Sequence, residues 1–130
     1  MKKTGLEDRE GLRRGNRVDS EKVLAKYVDA IIANKKALNN ADPKTANKHY
    51  KVLVKSLHQL EAVGERREAL LSLLSHEIPD VRGVAAAHLI DIEPKRAVYV
   101  LEELAKSGGV AGFEANMVLK LWREGKFHIP

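Results

Sequence analysis

Residues 81–92, which read VRGVAAAHLIDI, carry small or apolar side chains on all sides of a helix rather than along one face. On a helical wheel Val81 and Leu89 fall on one side, and Gly83 and Ile90 fall on the other. A helix without a polar face is buried on most of its sides. We therefore expect this segment to be the central helix of the fold, with the remaining chain packed around it.

Start and stop signals divide the chain from residue 19 onward into six helices. At three of the predicted starts a proline lies within one position of an acidic residue. Proline suits the first turn of a helix, because the amides of that turn have no partner inside the helix and the missing N–H of proline costs nothing. Glycine or Asn-Asn follows most of the helices. Period-two alternation is absent, so no strand is predicted. The predicted helices begin at Asp19 or Ser20, at Asp42-Pro43, at Glu65, at Pro79, at Glu93-Pro94 and at Ala111 or Gly112, and they end near residues 38, 62, 75, 91, 107 and 124.

The chain has the size and composition of one domain. It holds 130 residues, of which 44% are hydrophobic, enough for one core. It contains no cysteine, which excludes a disulfide framework and a thiol nucleophile and fits a reducing cytoplasm. No segment resembles a signal peptide or a membrane span. We expect a cytoplasmic protein that does not bind membranes.

Positive charge is concentrated in the first part of the chain. The net charge is +5, to which residues 1–18 and residues 19–62 contribute +3 each, whereas residues 63–130 contribute −1. Residues 1–18 lack apolar periodicity, and we interpret them as a flexible basic arm. The arm is either a nucleic-acid tether or a disordered terminus of mixed charge. Residues 19–130 are predicted to form a single helical domain.

One part of the chain resembles a known repeat. Residues 69–104 read ALLSLLSHEIPDVRGVAAAHLIDIEPKRAVYVLEEL, with a leucine-rich helix, the turn IPDVR, and a second helix of small residues. This pattern resembles a HEAT or armadillo-like helical repeat. The resemblance implies three HEAT-like hairpins in a short right-handed superhelical stack, with Asp80 and Arg82 making polar links at the turn. The whole chain also resembles small bacterial domains of unknown function with this architecture.

Four lysines of the second helix form one vertical row, which we call the lysine stripe. Their spacings of four, three and four place them on a single face. A row of apolar residues on the same helix lies opposite and is predicted to face the core. The stripe has three interpretations: a solvated face, a site for an acidic protein, or a site for phosphates. Its members are Lys44, Lys48, Lys51 and Lys55, and the predicted core row is Ala46, Tyr50, Leu53, Leu57 and Leu60.

The sequence offers no arrangement of residues that demands catalysis or a metal. The histidines lack the spacing of a zinc site, and the serines lack a nucleophile elbow. We interpret His88 as a histidine at a helix–helix contact with one ring nitrogen hydrogen-bonded. The glycines of SGGVAG at 107–112 are interpreted as a helix stop and a tight turn. Phe113 and Trp122 lie on opposite sides of the last helix, so one should pack inward and the other should face a partner or the end of the stack.

These observations predict a non-catalytic protein-binding module, such as an adaptor or an immunity-like inhibitor. The binding surface would be a concave face shared by the second and fourth helices, where the lysine stripe and Arg82 would contact an acidic protein. The alternative is nucleic-acid binding through the basic arm and the lysine stripe. We predict no catalytic residue, no cofactor and no metal, and a monomer or weak homodimer.

Overall fold

The computed structural model describes the backbone of residues 5–130 and the side chains of residues 20–130. This part of the chain contains six α-helices joined by turns and has no strand, which confirms the predicted all-α class. The helices are α1 (Gly5–Asn39), α2 (Pro43–Ala62), α3 (Arg66–Leu71), α4 (Pro79–Ala87), α5 (Pro94–Ser107) and α6 (Gly109–Arg123).

The first helix begins earlier than predicted. Its backbone is helical from Gly5, whereas the sequence placed the start at Asp19 or Ser20. Leucine, arginine and glutamate between these positions are good helix formers, and no proline interrupts them. Residues 1–4, and the side chains of the whole predicted arm of residues 1–18, lie outside the described part of the structure. The role of that arm therefore stays a prediction.

The third and fourth helices are shorter than predicted, because both end in tight turns. After α3 the amides of Leu73 and Leu74 donate to carbonyls three residues earlier, which narrows the helix. After α4 the amide of Leu89 does the same to the carbonyl of Ala86. Residues 88–90 nevertheless remain buried, so the predicted core segment keeps its place without keeping its helical form.

Local signals explain the other helix ends. The Oδ1 atom of Asp42 accepts a hydrogen bond of 3.1 Å from the amide of Thr45, which caps the start of α2. Between α5 and α6 the single residue Gly108 has a φ of 78°, and Gly109 follows with a φ of 71°. A side chain at either position would strain the left-handed backbone, so the glycine pair allows α6 to turn back directly onto α5. The interpretation of this segment as a tight turn is confirmed.

The central position of α4 is confirmed. It contacts α1, α3, α5 and α6, while α1 pairs with α2 and α5 pairs with α6. Close approach is possible because three successive residues, Ala85, Ala86 and Ala87, are small and buried. The core around them contains residues from all six helices. It includes Tyr27, Ile31, Leu53, Leu57, Leu70, Val81, Leu89, Ile90, Leu101 and Leu119.

Candidate binding surface

The lysine stripe lies on the outer face of α2. All four of its side chains are exposed, and Ala46, Leu53 and Leu57 on the opposite face are buried against the rest of the protein. Among the described side chains, no carboxylate lies within salt-bridge distance of any of the four ammonium groups. Their positive charge is therefore left uncompensated within residues 20–130 and is available to a partner.

One residue of the predicted core row lies elsewhere. Tyr50 is 43% exposed rather than buried, because it sits at the edge of the face that packs on α1. Ser56, on the other edge, is buried in its place. The small hydroxyl of serine fits where two helices approach closely, whereas the phenol ring of tyrosine does not.

A shallow groove runs beside the lysine stripe, between two ridges of the same helix. One ridge steps four residues at a time and is mostly apolar or aromatic; the other carries two members of the stripe. We call this feature the α2 groove. Its lining residues are Tyr50, Val54, His58 and Ala62 on the first ridge and Lys51, Lys55 and Gln59 on the second. The Nε2 atom of His58 lies 3.0 Å from the carbonyl oxygen of Pro130, so Pro130 contacts the first ridge of the groove at His58.

The lysine stripe does not share a surface with α4, contrary to the prediction. α1 stands next to α4, and α2 packs on α1 and more lightly on α3. A cleft of about 140 Å³ beside α4 is lined instead by residues of α1, α4, α5 and α6, including Gly83, Ala87 and Ala115. The Nζ atom of Lys35 and the carboxylate of Glu114, 2.8 Å apart, join α1 to α6 at this cleft. The long α1 lies between α2 and α4 and separates the two surfaces that were predicted to be adjacent.

Arg82 lies apart from the lysine stripe, and its side chain stabilises the turn before α4. Its Nη1 atom donates to the carbonyl oxygens of His76, at 2.7 Å, and Glu77, at 3.2 Å. These bonds tie the start of α4 to the turn that precedes it. The polar link implied by the repeat resemblance is present for Arg82. Asp80 is half-buried at the rim of the cleft beside α4.

The structure contains a polar cluster, which we call the Arg66 network, that was not predicted from the sequence. Arg66 donates through Nη1 to the carbonyl oxygen of His88 at 2.7 Å and forms a two-pronged pair with Asp91 at 3.1 and 2.9 Å. Its Nε atom donates to Glu61 at 3.0 Å. The hydroxyl of Tyr27 and Nδ1 of His88 share a hydrogen bond of 2.7 Å. The network joins the ends of α2 and α4 to α1 and α3.

Burial and the charge of Arg66 shift the pKa values of the titratable groups in the Arg66 network. Burial, reinforced by the positive charge of Arg66, lowers the pKa of His88 to about 4, so the imidazole is neutral near pH 7. Burial raises the pKa of Tyr27 well above its ordinary value. Burial also raises the pKa of Asp91, but the hydrogen bonds and charge of Arg66 outweigh it, and the net pKa is lowered. The interpretation of His88 as a hydrogen-bonded histidine at a helix contact is confirmed.

Little in the sequence distinguishes Arg66 from its neighbour. Arg67 has the same side chain, lies next to it and pairs with Glu93 at the surface. Asp91 lies where the sequence predicts the end of the fourth helix, and only the folded chain places it opposite Arg66. The available signal was its position two residues after the Gly64 stop, at the start of α3, from which an arginine side chain can reach the end of α4.

The described residues supply no metal site and no membrane span. Among residues 20–130, no group of three or more histidine or acidic side chains is placed to hold a metal ion. None of the helices in the described chain combines the length and apolar character needed to cross a bilayer.

Comparison with known proteins places the chain in a family. No curated protein matches it. Among solved structures, it is similar to the crystal structure of the protein RPA1889 from Rhodopseudomonas palustris CGA009, with 26% identity and a TM-score of 0.77 over 84% of this chain and 92% of that one. Neither this match nor the family match carries a HEAT or armadillo name, so that resemblance stays a prediction. A family model described as a domain of unknown function matches residues 21–122, and the chain therefore belongs to the DUF2019 family.

Proposed function

We propose that this protein is a non-catalytic protein-binding module that holds an acidic protein surface against the outer face of α2. The observation that carries the proposal is the lysine stripe: four exposed cations in one row, without a described carboxylate in reach, beside an apolar ridge. Positive charge around an apolar strip suits a protein surface, because charge steers the encounter and burial of the strip holds the complex.

The arrangement of the helices supports a scaffold rather than an enzyme. The Arg66 network, which contains the perturbed histidine, is buried among helix ends and has a structural explanation. The pairing of α1 with α2 and of α5 with α6 fits a short stack of HEAT-like hairpins, which we include in the proposal. An adaptor or an immunity-like inhibitor in a bacterial cytoplasm is the kind of role we infer from this resemblance.

Nucleic-acid binding is the alternative function, because a row of lysines also suits phosphates. The two functions differ in their dependence on salt. Phosphate binding weakens steeply between low and physiological salt, since each neutralised phosphate releases a counterion. A protein complex with an apolar centre loses far less affinity over that range.

Affinity capture from a native lysate tests the proposal. Bait proteins are the wild type, the variant Lys48→Glu/Lys51→Glu/Lys55→Glu, and a control with the same charge change at exposed lysines elsewhere, Lys26→Glu/Lys36→Glu/Lys120→Glu. We expect a protein partner that binds the wild type and the control but not the stripe variant, and that stays bound at physiological salt.

Two results contradict the proposal. Equal capture by all three baits would leave the lysine stripe as a solvated face. Recovery of nucleic acid that leaves the wild type as salt rises would favour the alternative. The stripe variant should keep the thermal stability of the wild type, because surface substitutions away from special contacts change stability by about 0.5 kcal/mol or less.

A further inference from the structure

We infer that the partner docks on α2 through an amphipathic α-helix that carries acidic side chains along one flank of its apolar row. This inference rests on the proposed function and gives its partner a specific chemistry. The α2 groove supplies the shape, and the lysines of its second ridge supply the charge. Tyr50 is 43% exposed and Val54 is half-buried, so both present apolar surface in the groove, while Pro130 contacts the same ridge at His58.

The shape of the groove fits a helix. Its two ridges consist of residues four apart on α2, and the groove between such ridges is the feature into which a ridge of a second helix packs. From Tyr50 to Ala62 the first ridge is about 18 Å long, or three turns. A helix lying there would cross α2 at roughly −50°, the angle that follows when four-residue ridges of both helices interlock. Helix-in-groove docking of this kind needs apolar anchors at helical spacing.

The charge of the groove sets the flank of the partner helix. Lys51 and Lys55 form one wall, and both ammonium groups lack a described carboxylate partner. Aspartate or glutamate on the docking helix, one position away from its apolar row, would face these two lysines. Basic residues at the same positions would be repelled, so the groove selects by sign as well as by shape.

A second copy of this chain is a poor occupant. Its α5 helix carries two consecutive acidic residues, but Glu102 pairs with Arg123 at 2.9 Å and Glu103 pairs with Lys106 at 3.2 Å. The exposed apolar row of α6, which includes Phe113 and Met117, has Lys120 beside it. The carboxylates nearest to this row are already paired, Glu114 with Lys35 and Glu124 with Lys126. The charge of α2, which no carboxylate of residues 20–130 compensates, therefore points to a helix of another protein.

Peptide selection tests the inference without knowledge of the natural partner. A phage-displayed library of random 16-residue peptides is panned on the full chain, and bound peptides are measured by fluorescence anisotropy. The variants are Val54→Asp, Tyr50→Ala and Lys51→Glu/Lys55→Glu. The control is Val52→Asp, because Val52 is 40% exposed on the same helix but does not line the groove. Circular dichroism melting checks that each variant folds, and Tyr50→Ala serves if Val54→Asp does not.

We expect enriched peptides with apolar residues three or four apart and aspartate or glutamate beside them. Their affinity should fall at least tenfold in each groove variant and change less than twofold in Val52→Asp. Enrichment of acidic peptides that lack helical spacing, and whose affinity is the same for Val54→Asp and Tyr50→Ala as for the wild type, would overturn the helix inference but leave the acidic-partner proposal intact. If the affinity of the peptides is also unchanged by Lys51→Glu/Lys55→Glu, both the helix inference and the acidic-partner proposal are wrong. A single-stranded oligonucleotide of 16 nucleotides serves as the comparison ligand. If it binds more tightly than any peptide, and its affinity falls only in the lysine variant, nucleic-acid binding is favoured and the inference is overturned.

Discussion

Replacing Arg66 by methionine should destabilise the protein by about 3 kcal/mol. The guanidinium is the partner of the His88 carbonyl oxygen, which lies at the end of α4, where the helix itself offers no donor. Leaving that buried carbonyl without a partner costs about 1–3 kcal/mol. The pair with Asp91 adds less, because that carboxylate is 39% exposed and water can replace the arginine; about 1 kcal/mol is the appropriate scale. Methionine keeps most of the apolar stem, so little packing is lost.

Arg67 provides a matched control one residue away. Its side chain is 48% exposed, against 9% for Arg66, and its pair with Glu93 lies at the surface. Arg67→Met should therefore destabilise the protein much less than Arg66→Met, because solvent screens a surface pair. Arg66→Lys should fall between the two variants, since a single ammonium cannot reproduce the planar fork that reaches both Asp91 and the carbonyl of His88.

Urea denaturation at pH 7 and 25 °C, followed by circular dichroism, measures these differences. With a slope of about 2 kcal/mol per molar urea, a loss of 3 kcal/mol lowers the midpoint by about 1.5 M. The slopes of the wild type and the variants should agree. Equal midpoints for Arg66→Met and Arg67→Met would refute the reasoning, because burial and the capped carbonyl would then have no energetic weight.

Three further predictions concern His88, two glycines and α6. Because burial lowers the pKa of His88 from 6.5 to about 4, the unfolded chain binds a proton at a higher pH than the folded one. The free energy of unfolding should thus fall by about 3 kcal/mol as pH drops from 6.5 to 4, and urea titrations of His88→Gln should lack that decrease. Gly112→Ala should destabilise by about 1–3 kcal/mol in thermal melts, since its Cβ would meet the Leu104 carbonyl oxygen at 2.7 Å; Gly83→Ala, which meets only the flexible Cδ1 of Leu104 at 3.3 Å, should stay within about 1 kcal/mol of wild type. Phe113→Ser should leave the melting temperature nearly unchanged because Phe113 is 66% exposed, whereas Trp122→Ser, whose ring packs against the core, should lower it clearly.

Each of these three predictions has a contrary outcome. If the free energy of unfolding of His88→Gln still falls between pH 6.5 and 4, groups other than His88 cause the decrease. Asp91 is not one of them, because its stabilising contribution is lost only as pH falls below about 3.8. Equal melting temperatures for the two alanine variants would mean that the α5–α6 contact relaxes around a new methyl group. A large loss in Phe113→Ser would mean that the exposed ring is covered in solution, as in a homodimer.

The sequence predicted the elements well where a local signal decided them. The proline starts of α2, α4 and α5 were placed correctly because a proline at the first helical position depends only on its own backbone. The burial of residues 85–90 followed from the absence of any polar face. The exposure of the lysine stripe followed from its position opposite a leucine row on the same helix. The ends of α3 and α4 were misplaced, because tight turns there depend on contacts made by the folded chain.

Sequence alone determined that this chain is helical, that its fourth helix is central, and that one face of α2 carries a row of four lysines, because each of these follows from residues close together along the chain. Tertiary structure decided which helices are neighbours: it set α1 between the lysine stripe and α4, and it brought Arg66 to Asp91 and His88. Such contacts join residues more than twenty positions apart, and their choice depends on how whole helices pack. For that reason the lysine stripe could be read from spacing, whereas the buried Arg66 network could not.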